Sequence, residues 1–252
     1  MPPEIRIIPL TGVGEVRPGD DLASLLLMAL EASGQALEAG DVLVVTQKVV
    51  SKAEGRLVDP AEVEPSAFAQ QIAAQSRKDA RYQEVVLRES RRIVKMANGV
   101  LITETHHGLV CANSGVDESN VAGGRVVCLL PEDPDASAAR LRRALQAATG
   151  HAVAVIISDT FGRPWREGQV NVAIGCAGIA PLTDFAGVDD PYGYTMQATL
   201  IAVADELASA AELVMGKIDR VPAAIVRGYP YVPSEEATAR RLQRDPRADL
   251  FR

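Results

Sequence analysis

Two short acidic stretches carry the oxygen chemistry of this 252-residue chain. In residues 152–166, AVAVIISDTFGRPWR, an apolar run stops at Ser158, Asp159 and Thr160. A short β-branched run bounded by turn residues reads as a buried strand, and the carboxyl ends of strands are where open α/β sheets place ligands. An acid and a hydroxyl at that point are hard oxygen donors suited to Mg²⁺ or Mn²⁺ carrying a phosphate. The same residues would also serve as an Asx-type turn opening the GRP loop. Residues 108–120, GLVCANSGVDESN, repeat the theme: a short strand runs into a loop bearing Ser114, Asp117, Ser119 and Asn120. Asp117 and Asp159 are too far apart in the chain to share one element. A joint metal site therefore requires two strand ends to converge, and without convergence each is a solvated turn.

Basic and glycine-rich groups supply the complementary half of a phosphate site. Gly12 and Gly14 follow a first strand and permit close approach of backbone N–H groups, although Arg17 stands where a dinucleotide fingerprint needs its third glycine. No G-x-x-x-x-G-K-[ST] is present. Gln47, Lys48 and Lys52 lie just past an apolar strand and offer two ammonium groups to phosphates that Asp117 and Asp159 can reach only through a cation. Arg163, Arg166 and the run Arg91-Arg92-Lys95 are candidates for holding carboxylate or phosphate in guanidinium forks, against a bland reading as solvated surface. Adjacent His106 and His107 would face opposite sides of a strand, which makes a joint metal role improbable. No protein nucleophile is assigned, since Cys111 in an apolar strand reads as packing.

The elements that must position these groups alternate along the chain. Strands are expected at 5–10, 41–45, 100–103, 109–112, 126–130, from 152 onward, 170–174 and 223–227. Helical patterns run over 21–38, 66–75, 81–91 and 137–148, the last closed by Gly150. A long helix is expected over 195–215, charged only at Asp205, Glu206 and Glu212; a helix so apolar must be covered on nearly all sides, in a core or at a subunit interface. The fold class is α/β with a mixed sheet, without the regular βαβ repeat of a barrel.

Composition bounds the partners. Hydrophobic residues make up 47% and aromatics 4%, so the core is built of Ala, Val, Leu and Ile. A formal charge of -7 argues against an extended nucleic-acid surface. Cys111, Cys128 and Cys176 are widely spaced in apolar runs and read as buried free thiols of a reducing cytosol. With neither a signal-peptide pattern nor a charge-free span long enough for a bilayer, a soluble cytoplasmic protein is expected.

The blocks DVLVVTQKVVSKAEGR, ESRRIVKM, ITETHHGLVCANSGVDESNV, ISDTFGRPWREGQVNVAIG and ADELASAAELVMGK together resemble the coenzyme F420-0:L-glutamate ligase family, which includes the N-terminal domain of the two-domain actinobacterial enzyme. The resemblance runs from about Ile8 to Tyr229. It implies a GTP-dependent amide ligase requiring Mg²⁺ or Mn²⁺ with K⁺ as helper ion. Such an enzyme adds L-glutamate to the lactyl-phosphate side chain of coenzyme F420-0, and further glutamates through γ-linkages, by way of an acyl phosphate. It also implies a γ-glutamyl ligase-like fold forming an intertwined homodimer, with a ligase domain over 1–239 and a tail over 240–252 that resembles an interdomain joint.

Carried over by position, the resemblance makes Asp117 and Asp159 ligands of a first metal and puts Thr160 at a second. The turn Val13, Gly14, Glu15 and Val16, together with Gln47, Lys48, Lys52, Asn120 and the loop Met215, Gly216, Lys217, Ile218, Asp219 and Arg220, matches positions that hold GTP. There are two departures. Gln47-Lys48 replaces smaller hydroxyl residues of archaeal relatives, and Lys217 falls where some relatives carry an acidic second-metal ligand. Two other classes stay open: a metal-dependent phosphohydrolase or kinase that forms no amide, and a non-catalytic GTP-binding dimer.

Overall fold

The computed structural model describes residues 4–76, 78–97, 99–118, 125–236 and 238–249. In chain order its principal elements are β1 (Arg6–Leu10), α1 (Leu22–Ala32), β2 (Val42–Thr46), α2 (Gln47–Ala53), β3 (Leu57–Val58), α3 (Ala67–Ala74), α4 (Ala80–Arg88), β4 (Ser90–Ala97), β5 (Val100–Thr105) and β6 (Val110–Ala112). They continue with β7 (Val127–Cys128), α5 (Pro134–Thr149), β8 (Ala154–Arg163), β9 (Arg166–Ala177), β10 (Thr183–Asp184), β11 (Leu200–Ile201), α6 (Val203–Met215) and β12 (Ala223–Arg227). The α/β class with a mixed sheet is borne out.

The main sheet has the order β1-β12-β2-β8-β9, with β2 and β8 parallel and every other pairing antiparallel. Residues 42–45, 154–157 and 223–226 of its central strands are apolar throughout because both faces are covered. Leu43, Val45, Val155, Ile157 and Ile225 pack into one cluster with α1 and α5, while Val42, Val44, Ala154, Ile156 and Val226 pack into another with α6. A third cluster joins α3 and α4 to a smaller sheet of order β4-β5-β6 and to Val116 and Val127. The helix starts follow the expected chemistry: Asp21, Ser66, Asp79 and Asp133 each accept backbone N–H bonds at an N-cap, and Gly150 ends α5 at φ 73.

Several expectations are corrected. The strand from 152 does not end at Ser158 but runs on to Arg163, and its partner spans Arg166–Ala177 rather than 170–174. Parallel pairing with β2 stops at Thr46–Ser158, and a bulge in the β8–β9 pairing lies at the same point. Beyond it β8 and β9 continue as a two-stranded hairpin turning at Pro164-Trp165, so Asp159 and Thr160 stand on a ladder and not in a GRP loop. Helix 195–215 is also too long: only Val203–Met215 is helical. Residues 195–201 fold back on 183–190, with Leu200 and Ile201 paired to Asp184 and Thr183, and Phe185 and Gly187 donating to Thr199 and Met196. Non-local hydrogen bonds there override a helical composition. Within the single chain α6 is covered on one side only, so it is not the centre of a core: Val203, Ala204, Leu207, Ala208 and Ala211 are buried, whereas Leu213 is 83% exposed. Finally, the expected helix 81–91 ends at Arg88 and the chain reverses into β4, which places Arg91 and Arg92 on a strand.

Candidate functional site

The chemistry-bearing residues gather where the parallel pairing of β2 and β8 stops, at Thr46 and Ser158. At the end of β2 the chain turns directly into α2, a short helix the sequence patterns did not reveal, which presents Gln47, Lys48 and Lys52. Gln47 is buried and accepts the Ser51 hydroxyl at 2.8 Å. Lys48 Nζ lies 2.7 Å from Asp117 Oδ2. Lys52 is almost wholly buried, and its Nζ reaches Glu15 Oε1 at 2.6 Å, tying the Val13–Val16 turn to α2. In that turn Val13 and Val16 are buried, while Gly14, at φ 73, and Glu15 are exposed.

Asp117 is fixed by its backbone. Its N–H donates to Cys128 O at 3.0 Å and its carbonyl accepts Cys128 N–H at 2.8 Å. Upstream, Asn113, Ser114 and Gly115 take consecutive left-handed conformations with φ 51, 54 and 69. For the non-glycine residues this is a costly backbone, and a buried hydroxyl cluster holds it. Ser114 N–H donates to Thr103 Oγ1 at 2.9 Å, and Ser114 Oγ lies 2.7 Å from Ser90 Oγ and 2.8 Å from Thr103 Oγ1. The Tyr82 hydroxyl donates to Val116 O at 3.0 Å, one residue before Asp117.

Asp159 sits on β8 within the fields of Asp117, Lys48 and Lys217. Desolvation lifts its carboxyl to about 7; a Thr160 N–H bond opposes that, and the charge of Asp117 adds to it. The two acids are therefore near enough for the charge of one to act on the other. Next to them, Lys217 Nζ stands 3.5 Å from Thr160 Oγ1, bringing the loop after α6 to the same place. In that loop Met215 is buried, Gly216 has φ 62 and leaves room where an added Cβ would strike the Asp219 carboxylate, and Lys217, Ile218, Asp219 and Arg220 are exposed. Asn120 and Ser119 lie outside the described residues.

Other candidates point elsewhere. Arg163 donates to Glu167 O and Gly168 O within its own hairpin, and Arg166 is exposed at the hairpin tip. Arg91 and Arg92 pair with the buried Glu104 at 3.4 and 2.7 Å. His106 Nε2 bonds to Arg88 O at 2.9 Å, and His107 Nε2 lies 2.9 Å from Pro131 O, so both rings brace loops. The three cysteines are free and buried, and burial pushes Cys111 and Cys176 up to about 12 and Cys128 to about 11. At neutral pH they are thiols, poor nucleophiles despite the nearness of Cys111 to Asp159 and of Cys128 to Lys48 and Lys52.

Two residues of the site escaped the sequence patterns. Asn171 faces Thr160 across the β8–β9 hairpin, accepts its hydroxyl at 2.8 Å and donates to Glu212 Oε2 at 2.9 Å. Asn171 stands within a block quoted for the resemblance, but no spacing separates it from a surface polar residue. An open groove of about 480 Å³, lined by Val170, Val172, Leu200, Ile201, Asp205 and Glu206, does not include the acid pair.

The F420-0:Gamma-glutamyl ligase profile matches residues 12–228, a span that takes in both acid strand ends and the loop after α6. The chain belongs to the F420-0:gamma-glutamyl ligase family. It is 46% identical over 250 residues to the coenzyme F420:L-glutamate ligase of Methanothermobacter thermautotrophicus, covering 98% of this chain and 99% of that protein. The protein of the same name from Methanopyrus kandleri is 50% identical over 254 aligned residues, covering 99% and 98%. That of Methanocaldococcus jannaschii is 44% identical over 217 residues, covering 86% of each. The candidate site of this F420-0:gamma-glutamyl ligase family member is drawn from five separate parts of the chain: the turn after β1, α2, the Asp117 turn, the β8 hairpin and the loop after α6.

Proposed function

We propose that the protein is a GTP-dependent amide ligase that adds L-glutamate to coenzyme F420-0, and further γ-linked glutamates, through an acyl phosphate. The convergence of Asp117 and Asp159 with Lys48 and Lys217 carries this reading. Two like charges beside a polyphosphate repel unless a cation lies between them.

The donor chemistry fits Mg²⁺ or Mn²⁺. Among the described residues no three His, Cys, Asp or Glu side chains form a closed metal cage. Two carboxylates and a hydroxyl instead leave coordination positions for water and phosphate oxygens, which is how these hard ions are usually held. Asp117 and Asp159 would hold the first ion and Thr160 a second, with K⁺ as helper; bound there, the ions neutralise charge on the transferring phosphoryl group. Lys48 and Lys52 bring fixed positive charge to the phosphates of GTP, and the turn Val13–Val16, Gln47, Asn120 and the loop Met215 to Arg220 complete the nucleotide site. Transfer of the γ-phosphoryl to the substrate carboxylate makes it an acylating agent, and the glutamate amine then displaces phosphate. The protein's part is positioning and electrostatics, so no nucleophile is needed. Arg163 and Arg166 at the hairpin tip would meet anionic substrate groups after turning from their present contacts.

We also propose an intertwined homodimer, since Trp165, Leu200, Leu213 and Ile218 leave 79%, 54%, 83% and 83% of their surfaces exposed around the hairpin and α6. Among the described residues no helix is long and apolar enough to cross a membrane, and three unpaired thiols suit the reducing cytoplasm. The test is incubation with GTP, Mn²⁺, K⁺, glutamate and F420-0, followed by mass spectrometry. Products heavier by one or more glutamates are expected, with little product when ATP replaces GTP. GTP consumption without an amide product would instead establish a phosphohydrolase.

A further inference from the structure

Thr160 stands at the end of a directed chain of hydrogen bonds. Glu212, as a carboxylate on α6, can only accept, so the Asn171 group 2.9 Å from it must be the amide NH₂. This fixes the Asn171 amide the other way round toward β8. Its carbonyl oxygen meets Thr160 Oγ1 at 2.8 Å, and a carbonyl can only accept, so Thr160 must donate. The Thr160 hydrogen is thereby turned toward Asn171, and its lone pairs are turned away. At the outer limit of hydrogen bonding, 3.5 Å, the Lys217 ammonium lies against that same oxygen, and an ammonium can only donate.

The rest of Asn171 is locked. It is 4% exposed, it is cross-strand partner to Thr160, and its backbone carbonyl accepts Ser209 Oγ at 2.7 Å. Ser209 and Glu212 both lie on α6, so one helix holds the asparagine by its main chain and its side chain. A buried asparagine that needed only satisfaction could close on neighbouring backbone groups; this one links a carboxylate to a hydroxyl at the edge of the site.

We propose that Glu212, acting through the Asn171 amide, sets the direction of the Thr160 hydroxyl and so presents its oxygen as an acceptor for a cation. Asn171 and Glu212 are positioning residues, and the inference rests on the reading of Thr160 as a cation ligand. Glu212→Gln tests it without changing size. A glutamine can present either its oxygen or its NH₂ to Asn171, so the asparagine amide is no longer held one way; when it flips it donates to Thr160, using a lone pair and turning the hydroxyl hydrogen toward the cation. A purely structural role would tolerate this change, because every hydrogen bond can be remade.

The measurement is Mn²⁺ binding by electron paramagnetic resonance in the presence of a non-hydrolysable GTP analogue. Thr160→Val is expected to weaken the affected Mn²⁺ site about tenfold, the low end of what partners of metal ligands contribute, and Glu212→Gln about twofold, the cost of an amide shared between two orientations. The double variant should be no worse than Thr160→Val alone, since both changes act through one oxygen. Asn171→Ala, which leaves the hydroxyl free to rotate, should lower affinity in the same direction, with thermal melting confirming that each variant is folded. Loss in Thr160→Val with none in Glu212→Gln, or additive losses in the double variant, overturns the relay while leaving the cation reading intact. No loss in Thr160→Val overturns both.

Discussion

The Lys48 ammonium lies 2.7 Å from the Asp117 carboxylate, on a side chain of which only 14% is exposed. It is an internal cation on the acid that the divalent ion would use. In the nucleotide-free protein the two must share or compete for Asp117, and a divalent charge wins only with further oxygen ligands such as those of a polyphosphate.

Lys48→Met should therefore tighten Mn²⁺ binding in the absence of nucleotide, by about tenfold if one charge-assisted hydrogen bond is being displaced. It should weaken GTP binding at the same time. Calorimetric titrations of each ligand with wild-type and variant protein check both signs, and unchanged Mn²⁺ affinity contradicts the competition.

Asp159 makes the metal-free protein sensitive to pH. Burial raises its folded-state carboxyl from 3.8 to about 7, so between those values the native state keeps a proton that the unfolded chain has released. This group's contribution is fully favourable below the unfolded value and is lost as pH rises through the folded one. With chelator present, the melting temperature should fall across that window more steeply than in Asp159→Asn. Parallel slopes for the two proteins would rule the shift out. Mn²⁺ affinity should rise over the same window, because the ion displaces the proton.

Asp159→Asn should also abolish ligation by at least about a hundredfold while the fold survives, since the change relieves like-charge repulsion with Asp117 and shortens no packed side chain. Near-normal, metal-dependent activity in this variant would move the site elsewhere.

Lys52 and Glu15 form a one-sided pair: the lysine side chain is 10% exposed and the glutamate 72%. Such a bridge contributes about 0–1 kcal/mol, so Glu15→Gln should leave stability nearly unchanged. It should tighten GTP binding a few-fold by freeing the ammonium, whereas Lys52→Met should weaken it about tenfold or more. Fluorescent-nucleotide titration separates the two, and a loss of affinity in Glu15→Gln would show that its carboxylate orders the site.

Light scattering at micromolar concentration should give the mass of a dimer, because Leu213 and Ile218, on α6 and in the loop after it, are too exposed for a monomer surface. A mass near 26.8 kDa contradicts it.

Much of this architecture is local and so was legible in the chain. The strands β2, β8 and β12 announce themselves as apolar runs because both faces of the sheet are buried, and helix starts are written in Asp21 and Ser66 because orphan N–H groups need short acceptors, whereas α5 begins at Pro134, ahead of the expected 137. The acidic turns could be identified as potential oxygen sites from residue type alone. Their convergence could not, because it is set by the parallel β2–β8 register and by the Asp117–Cys128 bridge, pairings between segments with no periodicity in common. The same holds for residues 195–201, whose composition favours helix until strand partners at 183–190 take their hydrogen bonds. Helix α2 stayed hidden because seven residues are too few to show a period. Asn171 and Glu212, 41 residues apart, acquire meaning only when a hairpin sets one beside Thr160 and a helix brings the other within 2.9 Å. Side-chain direction is a property of hydrogen-bond partners, and those partners exist only in the folded chain.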